Sequence, residues 1–435
     1  MKYKIILTVY LFLTGFIAIA QTSTIHVNGR YIIGPCNDTI ILKGINYAPY
    51  NWGWSPNELQ IDQIALSNAN CVRLPWYIIT PDGATPQSTF NNLDYLDSAI
   101  SKCIQYKMIP IIELHDQTCS DDTTALISLA NWYTQPSVLS ILNKYEHSII
   151  IDIANEALYV DWASNSASAQ TTFIHTYTTI INILRVAGIT IPLMIDGPDC
   201  GTNLEVLANV GSLLETTDPQ HNLIFSAHAY WYAYANNDSL QMLTKIDYAL
   251  SKNIPFIFGE VANLQDDVSL CQYSLNYSAL LNICKQKKVG WLAWSWDHDG
   301  CNARQVTTAG MFNGLTAYGN DIIYNINYGI MANTIKSNYL LNNGCDTISS
   351  LIENKVANSF SIFPNPATSE LNIQFDKNSS GEIIISNLIG GKILISKFVS
   401  HYNIVLVINH IPSGIFLLCL KYTNGISDST IFIKQ

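Results

Sequence analysis

Eight short apolar runs recur along the first three quarters of the chain, at intervals of about 30 to 45 residues. Between them lie segments with apolar residues three and four positions apart, which predict amphipathic helices at 93–106, 171–186 and 239–251. Strands and helices that alternate in this number predict an α/β fold, a (β/α)8 TIM barrel, after a short hairpin around residues 25–33. The eight predicted strands are 39–46, 71–76, 108–115, 148–156, 191–196, 222–230, 254–260 and 289–296.

The same alternation also fits a doubly wound open sheet. A sheet of that kind that binds a dinucleotide carries a phosphate-binding G-x-G-x-x-G turn after its first strand. No such pattern follows the run at 39–46. The alternation of strands and helices therefore favours the barrel over the open sheet.

The pattern changes near residue 342. Residues 343–359 are polar and show little periodicity, which predicts a linker between a barrel domain at 21–342 and a second domain at 360–435. In the second domain, short apolar runs are separated by turn residues such as Gly, Pro and Asn. This pattern predicts a small all-β domain, an antiparallel sandwich.

Residues 1–20 form a separate segment at the amino end. Lys2 and Lys4 precede an apolar run, and Ala18 and Ala20 place small residues at alternate positions before Gln21. This arrangement is typical of a secretory signal peptide, so we predict that the chain is exported. No later segment reaches 18 consecutive apolar residues, so we expect no membrane span after it.

Composition narrows the class of ligand. The formal charge is −11 with only 22 Lys and Arg, which argues against a nucleic-acid partner because phosphate binding needs clustered positive charge. Only 13% of the residues are charged, whereas Asn, Ser, Thr and Tyr are plentiful. This balance suits a neutral ligand that is rich in hydroxyl groups.

Ten cysteines in an exported chain permit disulfides. Nine of them precede residue 346, so they cannot all pair among themselves. Cys71 and Cys103 lie in apolar patterns that predict buried thiols. Cys271 and Cys284 are predicted to share one helix, roughly 20 Å apart, which is too far for a bond between them. No pair has the close spacing of a zinc site, so we expect neither a metal nor a cofactor.

Two of the apolar runs end in a glutamate. The run at 148–156 ends in Asn155 and Glu156, and the run at 254–260 ends in Glu260. Singly, each glutamate has an ordinary explanation as the start of a solvated loop, because most glutamates are surface groups. As a pair at the carboxyl ends of two buried strands, they are what glycoside hydrolysis requires, one as acid and base and one as nucleophile.

Other polar and aromatic residues fall at the same ends of the predicted strands, which is where the active site of a barrel enzyme lies. Each has an ordinary explanation as a hydrogen-bonded core residue or as packing. Their joint placement predicts a single site on one rim of the barrel. They are Asn46, Arg73, Trp76, His115, Asn155, His228, Tyr230, Trp294 and Trp296.

The motifs that contain these residues resemble glycoside hydrolase family 5, a family of retaining barrel glycosidases, over residues of about 25 to 342. They are VRLPW, IELHD, IANEA, SAHAY, FGE and GWLAWSW, in that order. The IELHD, IANE and GWLAWSW strings look most similar to bacterial endo-β-1,4-mannanases. Three other stretches, NYAPYNWGW, HAYWYAY and GEVAN, depart from that subgroup and leave the choice of substrate open.

The resemblance implies that Glu156 is the general acid and base and that Glu260 is the nucleophile of a retaining mechanism. Asn155 is then placed to hydrogen-bond the 2-hydroxyl of the sugar, while Arg73 and Tyr230 would keep Glu260 ionised and oriented.

The remaining rim residues are assigned to substrate or to the support of the catalytic groups. His115 and His228 are expected to hydrogen-bond the substrate or the catalytic groups, and Trp294 to form the floor of the sugar site. Other aromatic residues are candidates for flanking subsites, with ordinary packing as the alternative. They are Trp52, Trp54, Trp231, Tyr232 and Trp296.

The expected function is that of a secreted, endo-acting glycoside hydrolase on a neutral β-1,4-linked plant polysaccharide, with β-mannan or glucomannan as the first choice. An endo-β-1,4-glucanase is the alternative within enzymes, because the same machinery serves glucosides. A non-catalytic barrel that binds glycans at the cell surface is the alternative of another class. We expect the protein to be a monomer.

The segment at 360–435 resembles the carboxyl-terminal sorting domain of Bacteroidetes proteins exported by the type IX secretion system. The matching stretches are FPNPATSELNI, SNLIGGKIL and IPSGIFLL. The resemblance implies an export address that is read by the secretion machinery, and it places the protein outside the cell or on its outer surface. An immunoglobulin-like adhesion or spacer module is the alternative.

Overall fold

The structure is a computed structural model, and it describes residues 24–48, 59–78, 92–158, 167–230, 237–266, 270–345, 360–387, 391–423 and 427–435. The chain forms two compact units, residues 1–346 and 347–435. The predicted signal peptide at 1–20 lies outside the described residues, as does most of the predicted linker at 343–359.

The first unit opens with three short antiparallel strands, β1 (His26–Asn28), β2 (Tyr31–Ile33) and β3 (Thr39–Ile40). Eight parallel strands then close into a barrel in which each strand pairs with its neighbours in the sequence, and the last pairs with the first. This confirms the predicted (β/α)8 barrel. Its strands are β4 (Lys43–Asn46), β5 (Cys71–Trp76), β6 (Ile109–Leu114), β7 (Ile150–Asp152), β8 (Leu193–Asp196), β9 (Leu223–His228), β10 (Phe256–Val261) and β11 (Gly290–Ala293).

Helices lie between and after the barrel strands, and polar side chains begin several of them. Asp122, Asn203, Asp238 and Asn276 each accept a hydrogen bond from a backbone N–H of the first turn, which satisfies a group that the helix itself leaves unpaired. The described helices are α1 (Ile61–Ala65), α2 (Leu93–Gln105), α3 (Thr123–Ala130), α4 (Pro136–Lys144), α5 (Ala167–Val186), α6 (Leu204–Thr217), α7 (Ser239–Ser251), α8 (Tyr277–Lys287), α9 (Ala317–Tyr324), α10 (Ile330–Asn333) and α11 (Asn338–Asn342).

The interior of the barrel is layered along the strands. Near the amino ends, each of the eight strands, or the residue just before it, contributes an apolar side chain to one layer. Ile25, Ile32 and Ile40, from the segment that contains β1–β3, pack against this layer. Because side chains alternate along a strand, the residues two positions further on also point inward. That second layer is polar and buried, and it includes Arg73, Glu113, Asp152, Asp196 and Ser226.

The second unit is an antiparallel all-β domain, as predicted. The long strand β13 pairs with β14 along its length, with β12 through its first part and with β15 through its last part. Leu371 and Ile385, from the two parts of β13, share one buried core, so the sheet folds over on itself. The strands are β12 (Phe360–Phe363), β13 (Glu370–Asn387), β14 (Lys392–Val407), β15 (Gly414–Tyr422) and β16 (Ser427–Lys434).

Three disulfides connect Cys36 to Cys345, Cys119 to Cys200 and Cys271 to Cys301, all within the first unit. Cys71, Cys103 and Cys284 are buried free thiols. The prediction that Cys271 shares a helix with Cys284 is wrong, because α8 begins only at Tyr277, where the Asn276 side chain caps it. The two cysteines are nevertheless not bonded to each other, as expected.

Candidate active site

The two glutamates face each other at the carboxyl ends of the strands. Glu260 lies within β10, and Glu156 lies four residues beyond the end of β7. A carboxylate oxygen of one is within 4.8 Å of a carboxylate oxygen of the other. Both side chains are nearly buried, since the residues are 9% and 3% exposed for Glu156 and Glu260.

Glu260 is held from two sides by hydrogen-bond donors. The guanidinium of Arg73 donates to Oε1 at 2.9 Å, and the hydroxyl of Tyr230 donates to Oε2 at 2.9 Å. Hydrogen bonds and positive charge both favour the ionised form of a carboxyl group. The site therefore fixes the orientation of the Glu260 carboxylate between a cation and a hydroxyl group.

Arg73 is fully buried at the centre of a group of carboxylates. Besides Glu260, its nitrogens lie 2.8 Å from Asp152, 3.2 Å from Asp196 and 3.5 Å from Glu113. Burial alone would lower the pKa of Arg73, but these four carboxylates outweigh it and hold the pKa well above its ordinary value. The guanidinium is therefore a permanent cation beneath the site.

Glu156 has a different partner, because its Oε1 lies 2.7 Å from Nδ1 of the buried His228. Burial raises the pKa of Glu156, the positive His228 partly offsets this, and the negative charges of Glu260 and Asp196 raise the pKa further. The net rise is what a general acid needs if it is to keep its proton until the bond breaks.

His228 is itself placed between negative groups. Its Nε2 is 3.3 Å from Asp196, and its Nδ1 is also 3.6 Å from Glu260. Burial lowers the pKa of His228, but Glu260 and Asp196 more than compensate and raise the pKa well above its usual range. The ring is thus a cation that donates to Glu156.

Asn155 and His115 turn their polar groups toward the cavity. Arg73 donates to Oδ1 of Asn155 at 2.8 Å, which leaves the amide nitrogen to face Oγ1 of Thr118 at 3.0 Å and Nε2 of His115 at 3.4 Å. The other ring nitrogen of His115 is 3.1 Å from Glu113. The amide nitrogen of Asn155 therefore faces the cavity next to Glu156.

Trp294 forms an aromatic wall opposite these donors. Its indole N–H donates to Asp299 at 2.6 Å, and its ring stacks on His115 with 6.0 Å between ring centres and 15° between planes. The hydrogen bond fixes the ring from the side of the loop that follows β11. An apolar ring face beside two carboxylates suits the C–H surface of a sugar.

Several of these groups line a cavity of about 630 Å³. Its wall includes residues that our reading of the sequence missed, mainly in the loop after β11. Arg304 from this loop lies 4.9 Å above the ring of Tyr230 and is only 4% exposed. The run of charged and polar letters in DHDGCNARQ directly after the last predicted strand is the signal that could have indicated them. The missed residues are Thr118, Asp266, His298, Asp299, Gly300, Asn302, Arg304 and Gln305.

Trp296, a candidate for a flanking subsite, does not line the cavity, and Arg73 and His228 are placed to touch the carboxylates and not a substrate. Trp296 is 0% exposed within the apolar core, with its indole N–H donating to the carbonyl of Gly310 at 2.9 Å, so it does not reach the cavity. Arg73 and His228 are also fully buried, and they contact the carboxylates from below. Trp52, Trp54, Trp231 and Tyr232 lie outside the described residues.

Within the described ranges, two groups have the spacing of metal ligands. Glu156, His228 and Glu260 are one group, but His228 donates to Glu156 and Glu260 is already paired with Arg73 and Tyr230. Cys119 and Cys200 contribute to the other, and their sulfurs are consumed in a disulfide. In each set, most of the donor atoms already have another partner.

A closed parallel barrel with two facing carboxylates at the carboxyl ends of its strands is the arrangement of a glycoside hydrolase. The comparison with known families agrees, because the sequence profile described as Cellulase (glycosyl hydrolase family 5) matches residues 36–300. The chain belongs to glycosyl hydrolase family 5, and it is a retaining glycoside hydrolase, as that family is. The family resemblance seen in the sequence is thereby confirmed.

The individual relatives that match the chain are less than 30% identical to it. The chain is 27% identical to a mannan endo-1,4-beta-mannosidase of Salipaludibacillus agaradhaerens over 69% of this chain and 90% of the relative. It is 28% identical to an enzyme of the same name from Cellvibrio japonicus, over 71% of this chain and 68% of the relative. The structure of a beta-mannanase from Streptomyces thermolilacinus superposes with a TM-score of 0.62 at 21% identity, over 73% of this chain and all of that one.

The second unit matches a different profile. The secretion system C-terminal sorting domain covers residues 361–434, which confirms the predicted sorting domain and shows a secreted protein. No helix in the described part of the chain is long and apolar enough to cross a bilayer.

Proposed function

We propose that this protein is an endo-acting β-1,4-mannanase that cleaves β-mannan or glucomannan with Glu260 as nucleophile and Glu156 as general acid and base. The observation that carries the proposal is the short separation of the two carboxylates, within 4.8 Å between oxygens. Retaining enzymes hold the two carboxyl groups roughly 5 to 5.5 Å apart, whereas inverting enzymes leave room for a water at about 6.5 to 9.5 Å.

In the first step, a carboxylate oxygen of Glu260 attacks the anomeric carbon while the bond from that carbon to the glycosidic oxygen breaks. Glu156 gives its proton to the departing oxygen, and the sugar remains as an ester on Glu260. In the second step a water attacks the same carbon, its proton passes to Glu156, and the ester bond breaks to restore Glu260. Glu156 therefore alternates between acid and base.

The neighbouring residues support both steps. Arg73 and Tyr230 stabilise the negative charge that returns to Glu260 when the ester breaks. The amide N–H of Asn155 is proposed to bind the 2-hydroxyl of the sugar, an interaction that strengthens in the transition state. His115 and Trp294 would complete the wall of the sugar site. We propose that one chain without metal or cofactor performs the reaction, and that nucleic acid is not a partner.

The preference for mannan rests on the two curated relatives, both of which are named as mannan endo-1,4-beta-mannosidases. At 27% and 28% identity, these relatives support β-mannan as the class of substrate. The experiment below measures which configuration of the C2 hydroxyl the site accepts. The epimers mannose and glucose differ only at that carbon.

The deciding experiment is the release of reducing ends from linear mannan, galactomannan, glucomannan and carboxymethylcellulose by the purified protein, with Glu260→Ala as the control. We expect activity on the mannans and a loss of at least four orders of magnitude in the variant, because it has no nucleophile. Activity mainly on carboxymethylcellulose would make the protein a glucanase. Silence on every polymer would favour a glycan-binding protein, and a variant that keeps more than about a tenth of the rate would refute the nucleophile.

A further inference from the structure

Three loops meet around Glu156, and their backbones are unusual. Glu156 lies four residues beyond the end of β7, and its backbone N–H donates to the side chain of Asp196 at 3.0 Å. Five residues of these loops that are not glycine have φ in the left-handed region, which costs energy for a residue with a side chain. They are Cys119 (56°), Glu156 (45°), Leu158 (68°), Asp199 (59°) and Cys200 (55°).

Backbone hydrogen bonds connect the three loops in series. The N–H of Cys119, after β6, donates to the carbonyl of Glu156 at 3.1 Å, and the N–H of Leu158 donates back to Ser120 at 2.8 Å. The N–H of Asp199, after β8, donates to Leu158 at 3.3 Å. Each loop is thus held by its neighbour, with the Glu156 loop in the middle.

The disulfide between Cys119 and Cys200 connects the two outer loops across the one that carries Glu156. The Sγ atom of Cys119 lies 3.6 Å from Oε2 of Glu156, on the side opposite to His228, which contacts Oε1. The sulfur bridge is therefore one wall of the pocket in which the carboxyl group sits.

Gly201, next to Cys200, forms another part of that wall. Its carbonyl accepts the backbone N–H of His228 at 2.8 Å. A Cβ atom at this position would lie 2.8 Å from Nδ1 of His228 and 3.0 Å from Cγ of Glu156, so only glycine fits. The turn at 199–201 thus contacts both members of the Glu156–His228 pair.

We propose that the Cys119–Cys200 disulfide positions Glu156 for proton transfer. It would do so by keeping the three loops in their strained arrangement, so that the carboxyl group stays between the sulfur and His228. The inference rests on the proposed role of Glu156 as acid and base. Cys119, Cys200 and Gly201 are positioning residues here, because they act through Glu156.

The test compares a Cys119→Ser/Cys200→Ser variant with a Cys36→Ser/Cys345→Ser variant, which removes a disulfide that bridges the turn before β3 and the end of the first unit. The readout is kcat/KM for two soluble aryl β-mannosides of the same chain length. One has a dinitrophenyl leaving group, which needs no protonation, and the other has an unactivated phenyl group, which does. We expect the first variant to lose about 10-fold to 100-fold on the phenyl substrate, because a shift of about 1 Å can cost that much, and less than about 3-fold on the dinitrophenyl substrate.

The pH profile gives a second readout. If the loops separate, water reaches Glu156 and removes part of the burial that raises its pKa, so the alkaline limb of kcat/KM moves to lower pH. Equal losses on both substrates, or the same behaviour in the Cys36→Ser/Cys345→Ser control, would overturn the inference and leave a disulfide that only stabilises the fold.

A Glu156→Ala variant distinguishes failure of the positioning role of the disulfide from failure of the acid and base role of Glu156. If it shows strong dependence on the leaving group while the cysteine variant shows none, the positioning role alone fails. If Glu156→Ala shows no such dependence, the acid and base assignment fails together with the inference.

A second substitution covers the case in which the cysteine variant does not fold. Gly201→Ala places a methyl group against His228 and Glu156, and Gly188→Ala is its control, because Gly188 also has positive φ but nothing within 4 Å of the new atom. We expect Gly201→Ala to show the dependence on leaving group and Gly188→Ala to show none. A Gly201→Ala variant that matches the wild type on both substrates would contradict the inference.

Discussion

The two carboxylates of the site are supported in different ways. Glu260 is part of a barrel strand and contacts Arg73, a buried cation that does not titrate in the neutral range. Glu156 lies on a loop, has a positive φ, and contacts the side chain of His228, which donates to it. The difference corresponds to the two proposed roles, since a nucleophile must stay ionised before attack whereas an acid and base must gain and lose a proton in every cycle.

The largest expected effect concerns the two glutamates themselves. We expect Glu260→Ala to lose about 10⁴-fold or more in kcat/KM on every substrate, because no substrate replaces the nucleophile. We expect Glu156→Ala to lose about 10² to 10⁴ in kcat/KM on mannan but little in kcat/KM on a dinitrophenyl glycoside, because formation of the glycosyl ester from that substrate needs no acid. The measurement is kcat/KM for both substrates, from initial rates well below KM. The same loss on both substrates for Glu156→Ala would contradict the assignment of different roles to Glu156 and Glu260.

A smaller effect is expected when one donor to Glu260 is removed. Tyr230→Phe deletes a hydrogen bond to a charged group, which is worth about 1.5 to 3 kcal/mol, so kcat should fall by about 10-fold to 100-fold. Because the change acts on the nucleophile, the loss should be similar for good and poor leaving groups.

Tyr328→Phe is a matched control, since the buried Tyr328 also donates to a carboxylate, Asp321, which does not line the cavity. That variant should keep the wild-type rate. A Tyr230→Phe enzyme whose loss grows as the leaving group becomes poorer would instead place Tyr230 with the acid.

The smallest change in rate, but a change in pH dependence, is expected for His228→Gln. The positive His228 lowers the pKa of Glu156 in the wild type, so its removal should raise the pKa of Glu156 in the free enzyme. Since the acid must be protonated, the alkaline limb of the kcat/KM profile should move to higher pH. The measurement is the pH profile of kcat/KM with an unactivated substrate. An alkaline limb that stays in place or moves to lower pH would contradict the pairing of His228 with Glu156.

Much of the fold and the strand-end site could be predicted from the sequence. Seven barrel strands fall within the predicted apolar runs and β10 extends one residue beyond its run, because strands buried on both faces have a continuous hydrophobic signal. Glu156 and Glu260 could be found because each interrupts such a run at its carboxyl end. Asn155, Tyr230 and Trp294 followed from the same rule and from the family resemblance, and all three line the cavity.

Other features depend on three-dimensional packing that a linear pattern does not contain. The sequence leaves Trp296 open between a flanking subsite and ordinary packing; β11 ends at Ala293, and Trp296 lies in the core. Glu113 and Asp196 each follow an inward-pointing apolar residue by two positions. Their contact with Arg73 depends on closure of the barrel, which a linear pattern does not contain.

The disulfides could not be deduced from spacing at all. Cys119 and Cys200 are 81 residues apart, and their approach depends on three loops that have no periodicity. The same holds for Asp299 and Arg304, which reach the cavity only because the loop after β11 returns over it. Residues of this kind lie on loops, whose conformation follows least directly from the sequence pattern.

The Cys36–Cys345 bond, which spans 309 residues, makes the barrel a covalent ring to which the sorting domain is attached as a tail. Cleavage anywhere beyond residue 345 would release the tail and leave the ring closed. A single nick within the ring would yield one molecule that still migrates as a unit until a reductant is added.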